Sequence, residues 1–169
     1  MKQEDLTFIM DAHQNHPVKE GKQYRKWDGK TPYYTHPIWC ATMIATETTL
    51  EEKTREEGVQ TLLYHDVLED TTEQLPNWLS ERVKKLIQQM TYEGMAHEMS
   101  EIWEKPKEVR LYKLYDKASN LLDGQWMSSA KRNEYHNYTR RLLQDVEQNY
   151  GTLNITKLAR AILGVKNER

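Results

Sequence analysis

Residues 62–71 read Leu62-Leu63-Tyr64-His65-Asp66-Val67-Leu68-Glu69-Asp70-Thr71. An apolar lead-in runs directly into one imidazole and three carboxylates. Positions i and i+4 share a helical face, so a helix continuing through this stretch sets His65 against Glu69 and Asp66 against Asp70. Burying such charge without compensation is costly. Full solvation or a bound cation would relieve the cost, and the lead-in Leu62-Leu63 argues against full solvation. Imidazole with carboxylate suits a divalent ion such as Mn, Fe, Co or Zn.

Two ligands do not close a metal site, and two further candidates stand elsewhere in the chain. His36 opens a helix after Tyr33-Tyr34-Thr35, with Pro37 in the first turn, where proline is well tolerated. Asp116 lies in Val109–Leu122, a helical stretch apolar on one side, and shares an i, i+4 face with Asn120. His36, His65, Asp66 and Asp116 leave two positions of an octahedron open, one for water and one for a phosphate oxygen. A metal ion lowers the pKa of its water far enough to make a nucleophile near neutral pH.

The surrounding chain reads as helices. Apolar spacing predicts them over about 4–13, 36–45, 50–68, 81–90, 106–123, 128–149 and 154–164, with a short one over 75–79. Gly151 ends the helix before it. Residues 16–35 mix Pro, Gly, Lys and aromatics without period and read as a loop, and a loop this long in a compact domain is usually functional. Alternating β-branched runs are missing, so the fold class is all-α: a compact single-domain helical bundle over 1–169. Cys40 reads as a small core residue, and Tyr112, Tyr115 and Trp126 as a core stripe. Arg132, Tyr135 and Arg140 read as a solvated face. His13, His16, His97 and His136 have no partner pattern and read as structural.

Composition narrows the function. The chain has 169 residues, 24 Lys+Arg against 26 Asp+Glu, and a formal net charge of −2, which disfavours duplex nucleic acid as the main partner. A mean hydropathy of −0.93 and the lack of any apolar stretch near ~20 residues argue against a membrane span. One cysteine and no signal-peptide core fit a cytoplasmic protein. Within this acidic chain, Lys19, Lys22, Arg25, Lys26 and Lys30 form a local basic cluster that offsets bringing an anion to a carboxylate-rich site. The last helix either closes the core or packs on a second copy, so a homo-oligomer is an open expectation.

Taken together, the His…His-Asp…Asp pattern resembles the HD superfamily of metal-dependent phosphohydrolases. The resemblance is closest to the RelA/SpoT-type HD domain, which hydrolyses (p)ppGpp. It is carried by Gln23-Tyr24-Arg25-Lys26 with Pro32-Tyr33-Tyr34-Thr35-His36-Pro37, by Leu62–Thr71, and by Lys113-Leu114-Tyr115-Asp116 through Asn120. It implies an all-α fold and the four ligands above. It also implies Glu69 and Asp70 as the pair that orients or deprotonates the attacking water, Arg25 and Lys26 as phosphate contacts, and Asn120 at the sugar or its phosphate.

The sequence also departs from that pattern. Trp27 stands where a small or polar residue is usual, as a base-stacking wall or loop packing. Asp123 stands where a neutral group is expected, and the stretch between Asp66 and Asp116 is short. The compact layout is similar to small phage-type dATP triphosphohydrolases. The resulting expectation is a metal-dependent hydrolase of a purine nucleotide's phosphate chain, using one divalent ion, with a second ion carried by the substrate as an option. A deoxynucleoside triphosphate stands first as substrate, and (p)ppGpp cleaved at the 3′-pyrophosphate second. A 5′-deoxynucleotidase follows, and a non-catalytic nucleotide sensor is the alternative from another class.

Overall fold

The computed structural model describes residues 1–165. Helix α1 (Gln3–Asn15) leads into a segment without helix, stitched by isolated bridges between Tyr24 and Pro32 and between Pro17 and Thr71. Then follow α2 (Thr35–Ala45), α3 (Glu52–Tyr64), the single turn α4 (Val67–Asp70) and α5 (Glu81–Met90). Further on come α6 (Met95–Glu101), a 3₁₀ turn (Ile102–Glu104), α7 (Lys107–Leu122), a second 3₁₀ turn (Gly124–Trp126), α8 (Ser129–Tyr150) and α9 (Asn154–Leu163). The described residues form no strand beyond these bridges. None of their helices is long and apolar enough to cross a membrane.

Helix α7 is the axis of the bundle. It packs against α2, α3, α5, α8 and α9, and every residue from Leu111 to Ser119 is buried. A helix enclosed on all sides is normally apolar all round. This one instead gathers Lys113, Asp116, Lys117 and Asn120 at i, i+3, i+4 and i+7, a single stripe facing the site. Leu111, Tyr112, Leu114, Tyr115 and Ala118 supply core elsewhere.

Polar anchors lock the shell around this axis. The buried Glu47 carboxylate accepts from the backbone N–H of Asn154 and Ile155, each at 2.9 Å, and from the Tyr115 hydroxyl at 2.9 Å. It thus satisfies free N–H groups at the start of α9 and opposes the positive end of that helix. Ser80 and Ser128 cap α5 and α8 through their side-chain oxygens. Gly151 closes α8 with φ 72°, in the region open to glycine.

Three sequence expectations need correction. The predicted helix over 50–68 is broken at His65 and Asp66, with Asp66 at φ −94°, ψ −3° between α3 and α4. Residues 75–79 form a turn closed by Leu79 N–H to the Pro76 carbonyl at 3.2 Å, not a helix; Pro76 has no N–H to extend a ladder. Helix α6, with Met95 and Met99 at i, i+4 packed on the core, lies outside the helices predicted from the sequence. Cys40, Tyr112 and Tyr115 are core as expected, whereas Trp126 remains 38% exposed.

The close approach of α3 to its neighbours gives a test. A Cβ on Gly58 would meet the Ile44 side chain and lie 2.7 Å from Tyr112 Cε1. Helix propensity alone would favour Gly58→Ala by about 1 kcal/mol. Overpacking reverses the sign, and the variant should lose about 1–3 kcal/mol of stability, read by denaturant unfolding.

Candidate metal centre and active site

The break after α3 builds the centre. Adjacent side chains on a straight helix diverge by about 100°, yet here His65 Nε2 lies 3.2 Å from Asp66 Oδ1. His36, at the start of α2, brings its Nε2 to 3.5 Å from Asp66 Oδ2 and 3.4 Å from Asp116 Oδ1. His65 Nε2 is 3.9 Å from the same Asp116 oxygen. One donor atom each from His36, His65 and Asp116 fall within 4.8 Å of one another, and Asp66 abuts both imidazoles. The four residues named from the sequence therefore meet.

The two rings are oriented from behind. His65 Nδ1–H donates to the Leu62 carbonyl at 2.7 Å, and His36 Nδ1 pairs with the Ser119 hydroxyl at 2.8 Å. Support of this kind fixes which nitrogen faces a metal. Both Nε2 atoms are buried and make no hydrogen bond. Unpartnered nitrogens directed at two carboxylates fit a divalent cation bound through N and O donors.

The electrostatics agree. Burial disfavours charge on His65, but Asp66 and Asp116 outweigh it and lift the imidazole to about 9. Burial also resists charge on Asp116, yet Lys117 and Lys113 hold its carboxyl well below the usual carboxylate range. The pocket thus demands positive charge between its carboxylates, supplied by a proton on His65 or by a metal ion. Asp116 Oδ2 lies 3.2 Å from both Lys113 Nζ and Lys117 Nζ. Glu98, from the unanticipated α6, approaches the same ammonium groups at 3.2 and 2.9 Å. Two buried lysines are thereby balanced by two buried carboxylates.

A cavity opens beside this cluster. Its walls include Asp66, Glu69, Asp70, Lys113, Asp116 and Lys117. Glu69 accepts from the Tyr92 N–H at 2.8 Å. Burial, with Asp66 adding to it, raises its carboxyl to about 7. Burial and the charge of Asp66 also raise Asp70, opposed by its ion pair with Lys22. The 16–34 segment folds over this edge. Tyr33 Oη–H donates to Asp66 at 2.8 Å, and the Val18 N–H donates to the Asp70 carbonyl at 3.0 Å.

The remaining expected contacts divide. Arg25 lines the cavity but is held by Asp123, at 2.7 and 2.8 Å, and by the Asn120 side-chain oxygen at 3.2 Å. The unexpected acid at Asp123 therefore positions Arg25. Asn120 also donates to Asp116 at 2.6 Å. Lys26 reaches the cavity, whereas Trp27 is 52% exposed and outside its lining. The tryptophan in the wall is Trp126, joined by Tyr135 and Lys131. Lys113 and Lys117 were findable from the sequence, because they share a face with Asp116 on an otherwise apolar helix. Glu98 and Trp126 left no such signal.

The helical fold brings the His, His-Asp and Asp donors together in the arrangement that the resemblance to the HD superfamily implies. No family model matches the chain. The chain is similar to the guanosine-3′,5′-bis(diphosphate) 3′-pyrophosphohydrolase MESH1 of Xenopus tropicalis, with 28% identity over 129 residues, covering 70% of each protein. Its fold matches a solved structure of a metazoan ortholog of SpoT that hydrolyses ppGpp and plays a role in starvation responses. That match has a TM-score of 0.74 and 22% identity, covering 95% of this chain and 92% of the other. The resemblance to HD-superfamily (p)ppGpp hydrolases stands.

The two aspartates should behave differently when removed. Asp66→Ala deletes a donor whose hydrogen-bond partner is Tyr33, so metal content should fall while helix content is kept. Asp116→Ala leaves Lys113 and Lys117 facing Glu98 alone, and should cost about 3–5 kcal/mol of stability besides the metal. Elemental analysis and urea unfolding of both variants check this.

Proposed function

We propose that the protein is a metal-dependent nucleotide phosphohydrolase that removes the 3′-pyrophosphate of a guanosine 3′,5′-bis(diphosphate). The observation that carries the hydrolase reading is the pair of buried, unpartnered imidazole nitrogens gathered with Asp66 and Asp116, two aspartates that line the same cavity as Glu69. The substrate reading draws on the relative that acts on this nucleotide. The deoxynucleoside triphosphate reading rests on the compact chain and on Trp27 as a base wall, and Trp27 stands outside the cavity. The similar proteins give that reading no support.

A divalent ion, drawn from Mn, Co, Fe or Zn, would be held by His36, His65, Asp66 and Asp116, and would supply Lewis-acid polarisation of the phosphoryl oxygen and of water. The residues around it then have separable tasks. Water attacks the phosphorus joined to the 3′-oxygen, the P–O3′ bond breaks, and pyrophosphate and guanosine 5′-diphosphate result. Glu69, raised toward neutrality by burial, accepts the water's proton and passes it to the departing 3′-oxygen, and Asp70 helps orient the water. Lys113 and Lys117 line the cavity next to Asp116 and oppose the negative charge of the phosphates.

The decisive assay offers the purified protein with Mn²⁺ a panel of guanosine bis(diphosphates), NTPs, dNTPs and dNMPs. Release of pyrophosphate and guanosine 5′-diphosphate is expected. Triphosphate release from a dNTP would overturn the substrate assignment, and no turnover of any member with metal bound would favour a sensor.

Glu69 also sets a pH dependence. Its base form appears as pH rises through its pKa, so kcat/KM should climb with pH on a limb near 7, moved lower by the charge of the ion. Glu69→Gln should remove that limb and reduce kcat by about 10²–10⁴. A pH–rate profile of both proteins checks it.

A further inference from the structure

The cavity's charges form two groups. On the inner wall, Lys113 and Lys117 are matched by Asp116 and Glu98, and Arg25 is matched by Asp123. At the outer wall, Lys26 Nζ and Lys131 Nζ lie 4.7 and 4.8 Å from the centroid of the same ring, Trp126. Neither lysine makes an ion pair among the described residues. The chain carries 26 acidic residues against 24 Lys and Arg, so unmatched cations here do not follow from a shortage of carboxylates.

The indole positions these ammonium groups without neutralising them. A cation–π contact contributes about 0.5–1 kcal/mol at exposed sites, and it leaves the full charge in place. Two like charges over one ring repel, and burial together with Lys131 lowers the Lys26 pKa. An anion contacting both ammonium groups would offset the repulsion and complete the set. Trp126 is held at this point by the 3₁₀ turn Gly124–Trp126, whose Gly124 carbonyl accepts from Arg132 on α8 at 2.9 Å. Lys131 sits in the first turn of α8, beside the Ser128 cap. Both are therefore presented by ordered backbone, not by a free loop.

We infer that Lys26, Lys131 and Trp126 form an anion subsite in the outer wall of the cavity, one that takes the phosphate chain the reaction leaves intact. On the function proposed above, that chain is the 5′-diphosphate of the nucleotide. The metal centre then handles one end of the substrate while the tryptophan-centred lysine pair holds the other. The subsite makes the length of the 5′-phosphate chain a determinant of affinity.

The test separates this subsite from the reaction assigned to the cavity. Steady-state kinetics on the guanosine 3′,5′-bis(diphosphate) would compare wild type, Lys131→Met and Lys131→Arg. Loss of one charge-assisted contact should raise KM by about tenfold with a much smaller change in kcat, and the arginine variant should recover most of the loss. Calorimetric titration with guanosine 5′-diphosphate, guanosine 5′-monophosphate and guanosine needs no turnover. Wild type should bind the diphosphate most tightly, and Lys131→Met and Trp126→Leu should erase the advantage. A wild type that binds the three ligands equally, or a Lys131→Met loss confined to kcat, would overturn the subsite. A wild type that ranks the ligands by phosphate number yet does not hydrolyse the bis(diphosphate) would retain the subsite and overturn the reaction assigned above.

Discussion

Asp116 is the residue on which the rest of the structure depends. One carboxylate oxygen faces His36, His65 and the Asn120 amide, and the other faces Lys113 and Lys117. A carboxylate at this depth is tolerable only inside a complete set of partners. Four of its five partners lie on α7 itself or on the break after α3, so α7 has to run through the middle of the molecule. The apolar face that packs the bundle and the polar stripe that builds the site are two sides of one helix. Stability and chemistry therefore cannot be assigned to separate parts of this chain.

Much of this was legible because it is local. The apolar period of the helices, the proline opening α2 and the dense His-Asp-x-x-Glu-Asp stretch each announce themselves within a few residues. The four candidate metal ligands could be named because few other residues combine that chemistry with an apolar setting. What stayed hidden is tertiary. The kink at His65–Asp66 turns neighbouring side chains toward each other, and no propensity marks it, since the flanking residues suit a continuous helix. Glu98 sits in Met95–Glu101, a segment of seven residues too short to show a clear period, and gains its meaning only by meeting two lysines from α7. Trp27 and Trp126 look alike in sequence, and only the path of the chain decides which one enters the cavity wall. Nothing near Glu47 in the sequence shows that it satisfies the start of a helix more than a hundred residues away.

The distribution of charge reconciles an acidic protein with the anionic substrate proposed for it. Around the cavity, Asp66, Asp116 and Glu98 face buried histidines and lysines, while Lys26 and Lys131, without an ion pair among the described residues, border the opening. Net charge describes neither region, because each is set by local pairing over distances shorter than the screening length.

The segment 16–34 has a consequence of its own. It is fastened to the site by Lys22 on Asp70, Tyr33 on Asp66, Arg25 on Asp123 and the Thr72 N–H on the His16 carbonyl. Several of the residues that grip this segment also form the site. By thermodynamic reciprocity, whatever orders those residues orders the segment, and whatever lifts the segment loosens them. Occupancy of the centre is thus written into the backbone order of a stretch that contributes no metal ligand, where amide exchange would register it from the outside.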